Sequence, residues 1–149
     1  MGNRAVVAFQ GSGPGSQCVY VHWNGGRASI QAFLNVAKKV GAKTMQDFFK
    51  VTQAYLGSSA YLEKFASADK DNWDNGTYII NREWEIVDRM YKRGPDENSE
   101  IKTKVIYQDT LAAYYGYQTT DEDLAIFKKV ATFLGNKLDG NTYYATLNV

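Results

Sequence analysis

One short segment of the chain brings together side chains that could bind a ligand. It joins a predicted strand to a predicted helix, and backbone N–H groups exposed at such a junction suit an anion or a nucleotide. Trp23 offers a stacking surface there, and Arg27 offers a counter-charge. We predict that this corner contacts a ligand or partner through His22, Trp23, Asn24, Gly25, Gly26 and Arg27.

The same corner has a purely structural interpretation. Its glycines would then permit a tight turn, and Trp23 would fill the core. A second polar turn, Asp74–Tyr78, is the predicted counterpart of the corner if the two predicted hairpins share one sheet. The residues alone leave both interpretations open.

Three other groups of residues suggest a phosphate loop, a catalytic pair or a calcium site, but each lacks a residue or a distance that the chemistry requires. We therefore predict no catalytic residue, no metal site and no cofactor. The glycine-rich segment 11–16 is not followed by the lysine of a phosphate loop. Cys18 and His22 lie four residues apart on a predicted strand, about 13 Å from each other and too far for a nucleophile and its base. A calcium loop that begins at Asp71 would place Arg82 where a carboxylate must bind the ion.

The corner lies between elements that hydrophobic spacing predicts. Residues 4–9 and 18–23 have the composition of strands and should form a hairpin. The helix after the corner, predicted over Arg27–Val40, has one apolar stripe and ends before Gly41. A second helix should begin at Thr44, with a capping box closed by Asp47.

The rest of the chain gives a mixture of predicted strands, helices and loops. Residues 77–80 and 84–90 should form the second hairpin, and 93–100 is a candidate internal linker. The remaining predictions are short helices within 58–68 and 109–116, a capped helix from 119 to 134 ended by Gly135, and strands over 101–107 and 143–147. The buried stripe of the predicted helix 119–134 should consist of Leu124, Phe127, Val130, Ala131 and Leu134.

These elements predict a single α+β domain over residues 1–149, with an antiparallel sheet built from the two hairpins and packed against several helices. The side chains expected to be largely buried are Ile30, Phe33, Leu34, Ile80, Trp84 and Ile86.

Composition narrows the class of partner. Seventeen basic and sixteen acidic side chains leave a net charge of +1, which disfavours a dedicated binder of duplex DNA or of an anionic membrane. A single cysteine, and no apolar run of about 20 residues, predict a cytoplasmic protein in a reducing compartment. A content of eleven tyrosines is typical of a protein with a recognition surface. The sequence leaves open whether identical copies of the chain associate.

Four segments of the chain resemble a family of small uncharacterised proteins of phages and mobile elements. They are Met1–Val6, Val19–Arg27, Asn75–Ile80 and Trp84–Arg89, with the His-Trp-Asn-Gly-Gly motif at their centre. The resemblance implies an accessory protein that counters a bacterial defence by binding, and it assigns no catalytic residue.

We therefore carry three functional hypotheses from the sequence. The first is a non-enzymatic phage-type protein that inhibits a host defence complex, such as a CRISPR effector, by binding it. The second is a small-ligand binder that sequesters a nucleotide signal at the corner. The third is an enzyme without a recognisable motif.

Overall fold

A computed structural model describes residues 2–91, 104–106 and 121–138 of the chain. The described strands form one six-stranded sheet in the order β3-β2-β1-β4-β5-β6. The strands are β1 (Ala5–Phe9), β2 (Gln17–Val21), β3 (Ala60–Lys64), β4 (Thr77–Ile80), β5 (Ile86–Tyr91) and β6 (Lys104–Ile106). The described α-helices are α1 (Arg27–Lys39), α2 (Met45–Leu56) and α3 (Asp121–Leu138).

The α+β class and both predicted hairpins are confirmed, but the sheet is not antiparallel throughout. β1 pairs with β2, and β4 with β5, in antiparallel fashion. The two hairpins join through β1 and β4, which run parallel, with Val7 opposite Tyr78. A parallel pair needs a long crossover connection, and the helical segment between β2 and β4 supplies it.

The prediction of a short helix within residues 58–68 is wrong. Ala60–Lys64 forms the edge strand β3, which pairs with β2 along its whole length and lies between two single 3-10 turns. Tyr61 and Leu62 can form the apolar face of a short helix as well as part of a strand, so the local sequence does not decide between them. Pairing with β2 decides the outcome, because strand formation depends on the neighbouring strand more than on local preference.

The helices α1 and α2 form where the sequence predicts them. The buried stripe of α1 includes the predicted Ile30, Phe33 and Leu34. Thr44 caps α2: its hydroxyl accepts from the Asp47 amide, and the Asp47 carboxylate accepts from the Thr44 amide. Gly57 ends α2 with φ +59°, a conformation that glycine adopts without strain.

The helix α3 differs from its prediction at the start of its apolar stripe and at its C-terminal end. Phe127, Val130, Ala131 and Leu134 are buried as expected, but Leu124 is 46% exposed, so the buried face begins one turn later. Gly135 does not end the helix, which continues to Leu138. A glycine inside a helix costs about 1 kcal/mol, which a packed helix tolerates.

The main core lies between one face of the sheet and the helices. It includes Ile30, Phe33, Leu34, Ile80 and Trp84, all predicted to be largely buried, while Ile86, predicted with them, is half-buried and packs against the core. On the opposite face, the segment after β3 covers a smaller cluster made of Val6, Ala8, Cys18 and Ala68. No described helix is both long enough and apolar enough to cross a membrane.

Several predictions fall on residues outside the described ranges. These are the linker 93–100, the helix 109–116, the cap of α3 at Thr119 and the strand 143–147, while β6 lies within the strand predicted over 101–107.

Candidate functional site

The corner between β2 and α1 packs directly against the start of β1. Gly25 donates its backbone N–H to the Asn3 carbonyl at 2.7 Å. A Cβ at Gly25 would lie 2.5 Å from that carbonyl oxygen and 2.8 Å from the Cβ of Ala5, so only glycine fits. Asn24 precedes it in the left-handed region with φ +57°. The local sequence is therefore dictated partly by the close approach of two backbones.

A buried hydrogen bond ties the corner to the second hairpin. The Tyr78 hydroxyl donates to the Gly25 carbonyl at 2.9 Å. The Arg89 guanidinium lies 4.5 Å from the centre of the Tyr78 ring, and its Nε donates to the Asn75 carbonyl at 2.9 Å. These contacts place the corner and the predicted counterpart turn, Asp74–Tyr78, side by side.

A cavity of about 390 Å³ opens where these elements meet, on the helical side of the sheet. Its volume lies within the range of pockets that bind small organic molecules. The described residues that line it come from every layer of the fold: Asn3, Asn24, Gly26, Arg27, Ala28, Ser29, Tyr55, Asn75, Arg89, Ile126 and Lys129.

The charges around this cavity have one sign. Arg27, Arg89 and Lys129 come from α1, β5 and α3, and no carboxylate, imidazole or thiol is found among the described lining residues. The nearby Asp74 is not in the lining and accepts from the Arg4 Nε at 2.8 Å, which holds the pKa of the Asp74 carboxyl below its usual range. The cavity therefore favours an anion.

The first turn of α1 forms part of the cavity wall. Gly26 is the N-cap residue and has no side chain to accept from the first-turn N–H groups, and no acidic residue lies in that turn. These N–H groups have no acceptor within a helix, and the helix dipole favours negative charge beside them. The backbone here adds to the attraction of the three cationic side chains.

The predicted site residues divide into three groups. Asn24, Gly26 and Arg27 line the cavity, and Gly25 packs beneath it against β1. His22 and Trp23 are not in the lining. Trp23 is 46% exposed, so the interpretation in which it fills the core is wrong.

His22 and Trp23 belong instead to a row of aromatic rings that begins on edge strand β3. Tyr61 lies 5.8 Å from Tyr20, Tyr20 lies 6.3 Å from His22, and His22 lies 5.0 Å from Trp23, measured between ring centres. The Tyr20 hydroxyl and His22 Nδ1 are 3.0 Å apart, within hydrogen-bonding distance. We call Tyr61, Tyr20, His22 and Trp23 the aromatic row.

Sequence reasoning missed most of the described cavity lining. Asn24, Gly26 and Arg27 were predicted and Asn75 lies in the predicted counterpart turn, whereas Tyr55, Arg89, Ile126 and Lys129 were not assigned to any site. Tyr55 lies in the last turn of α2, while Ile126 and Lys129 lie beside the predicted stripe of α3. Their role depends on α3 packing over α1, which no local pattern predicts.

Neither the cysteine nor the acidic side chains of the described ranges provide a second candidate site. Burial raises the pKa of the Cys18 thiol to about 11, so the thiol stays protonated at neutral pH. No group of three or more His, Cys, Asp or Glu side chains in the described ranges is placed to hold a metal ion. The cavity, with its cations, is thus the strongest candidate site.

Comparison with protein-family models, with curated proteins and with solved structures finds no match. The resemblance to phage and mobile-element proteins therefore stays a prediction from the four quoted segments.

Proposed function

We propose that this protein is a binder of a phosphate-bearing small ligand, which it takes into the cavity at the start of α1. In this proposal it acts as a phage-type accessory protein in the cytoplasm of a bacterial host and opposes a defence system by sequestering a nucleotide signal. One observation carries the proposal: three cationic residues, Arg27, Arg89 and Lys129, line a cavity without a carboxylate among its described lining residues.

The chemistry of the lining supports binding without turnover. A guanidinium can donate two parallel hydrogen bonds to a phosphate, and Arg27 stands beside the first turn of α1, which supplies backbone donors. Hydrolysis would need a metal ion, or a nucleophile activated by a general base, near the phosphate. The described lining has hydroxyl groups at Ser29 and Tyr55 but no carboxylate or imidazole to activate them or a water.

Calorimetric titration with inorganic phosphate and with pyrophosphate tests the proposal. We expect saturable binding that weakens about tenfold or more in Arg27→Ala, since a hydrogen bond to a charged group contributes about 1.5–3 kcal/mol. The melting temperature should stay near that of the wild type, because partly exposed changes usually cost within about 0.5 kcal/mol.

Two neighbouring lysines of α3 provide the matched control. Lys128 and Lys129 are both exposed and differ by one position, but only Lys129 lines the cavity. Lys129→Ala should weaken phosphate binding about 2–5-fold, and Lys128→Ala should leave it unchanged. Equal effects of the two variants, or unchanged binding by Arg27→Ala at wild-type stability, would contradict the proposal.

A second candidate function is inhibition of a host protein complex, and the aromatic row favours it. Tyr61 is 48% exposed on the edge strand β3, and Trp23 is 46% exposed in the corner after β2. Tyrosine and tryptophan are enriched at protein interfaces. Tagged protein should then retain a stoichiometric protein partner from host lysate. The double variant Tyr61→Ala and Trp23→Ala should lose that partner, whereas Trp73→Ala, which is 57% exposed on another loop, should keep it.

The two candidates separate in one comparison. Removing the aromatic row should leave phosphate binding intact, and Arg27→Ala should leave the protein partner bound. Host lysate that yields a co-purifying nucleotide and no protein partner supports the first candidate alone.

A further inference from the structure

The cavity is not uniformly polar, and its apolar wall indicates what else the ligand carries. Tyr55 from α2 and Ile126 from α3 line it together with the three cations. Because the cations come from α1, β5 and α3, a ligand that touches all of them also lies close to these two apolar side chains. A bare phosphate would leave that wall uncovered.

The Tyr55 ring is held in place before any ligand arrives. It meets the Phe33 ring edge-on at 5.9 Å and the Phe133 ring at 5.0 Å with planes 89° apart. Two such contacts from α1 and α3 fix the orientation of the ring, so little side-chain entropy is lost when a flat group binds against it. Burial raises the pKa of the Tyr55 phenol, which therefore remains a hydrogen-bond donor at neutral pH.

The amide side chains add hydrogen-bonding groups of both kinds. Asn24 Nδ2 donates to the Ser29 hydroxyl at 3.3 Å, and Asn3 Oδ1 accepts from Asn75. This leaves Asn24 Oδ1 and Asn3 Nδ2 without a hydrogen bond to any described residue. One acceptor and one donor are thus available to the sugar hydroxyls or the base edge of a ligand.

We infer that the ligand is a nucleoside phosphate, with its phosphate between Arg27 and Arg89 and its base against Tyr55 and Ile126. This inference rests on the proposed phosphate-binding function and names the ligand class. The cavity volume of about 390 Å³ suits an organic ligand of this kind, because pockets for small molecules begin at about 300 Å³. Stacking on an aromatic ring is tolerant of base identity, so we expect all four bases to bind.

The test compares ligands that differ in one part at a time: adenosine, uridine, guanosine and cytidine 5′-monophosphates, ribose 5-phosphate, adenosine and inorganic phosphate. Calorimetry should give affinities for the nucleoside monophosphates about tenfold or more above that for ribose 5-phosphate, from base stacking alone. Tyr55→Ala should remove this difference while leaving the affinity for ribose 5-phosphate unchanged. Tyr55→Phe, which keeps the ring, should retain it.

Tyr55 packs between two other rings, so its replacement could destabilise the fold, and a second variant provides an independent test. Ile126 is 37% exposed, and Ile126→Ser should lower nucleotide affinity with the melting temperature unchanged. Equal affinity for ribose 5-phosphate and the nucleotides would overturn the base contact and leave the phosphate site standing. Failure of every phosphate-bearing compound to bind would overturn both proposals.

Discussion

Replacing Gly25 by alanine tests whether the corner is held by close backbone contact. The new Cβ would lie 2.5 Å from the Asn3 carbonyl oxygen, about 0.9 Å short of an ordinary contact of 3.4 Å, and 2.8 Å from the Arg4 carbonyl carbon. Hydrogen bonds from the Asn3 and Arg4 amides hold this backbone just before β1, so the substitution acts as overpacking and should cost about 3 kcal/mol. For a domain of this size, that cost lowers the melting temperature by about 6–12 °C.

The adjacent glycine is the matched control. A Cβ at Gly26 meets nothing closer than Asn3 Nδ2 at 3.8 Å, so Gly26→Ala should cost under about 1 kcal/mol, the effect of alanine at a helix N-cap. Calorimetric melting of both variants measures the difference. Melting temperatures within about 2 °C of each other would refute the close contact and, with it, the placement of the corner on β1.

Three further predictions concern other parts of the fold. Trp84→Phe removes the Nε1 donor that bonds the Ala42 carbonyl at 2.8 Å and should cost about 1–2 kcal/mol by urea denaturation; an unchanged midpoint would contradict it. Cys18, fully buried and with a raised pKa, should react with a disulfide reagent at pH 8 only after unfolding, and stoichiometric labelling of native protein would oppose this. Asp74→Asn should lower the melting temperature at pH 7, because Arg4 holds the folded pKa of Asp74 below the unfolded value of about 3.9. That stability is present above the unfolded pKa and lost as pH falls through the folded pKa, so the gap between wild type and variant should close in acid; a gap that persists there would disprove the assignment.

What the sequence could predict was what local patterns determine. The apolar stripe of α1 and the Thr44 cap of α2 each depend on residues a few positions apart in the chain, and both are confirmed. The strand β3 was predicted as a helix because its state depends on pairing with β2, which is more than thirty residues away in the chain. The parallel junction of β1 with β4 depends on how the helical connection returns the chain to the same end of the sheet.

The residues of the candidate site also differ in whether a local pattern predicts them. Arg27 was predicted because the strand-to-helix junction is visible in the sequence. Arg89 and Lys129 lie 62 and 102 positions further along the chain, and only the tertiary fold brings β5 and α3 to one cavity with the start of α1. The exposure of Trp23 also depends on tertiary structure, because the residue follows β2 at the edge of the corner.

Backbone NMR during titration with inorganic phosphate tests the central claim most directly, because it locates the anion as well as detecting it. The amide signals of Ala28 and Ser29, in the first turn of α1 at the cavity wall, should shift in a saturable way. Lys129→Ala should weaken that response and Lys128→Ala should not. Absence of saturable shifts at Ala28 and Ser29, or shifts that depend equally on both lysines, would contradict the account of this cavity as a phosphate site.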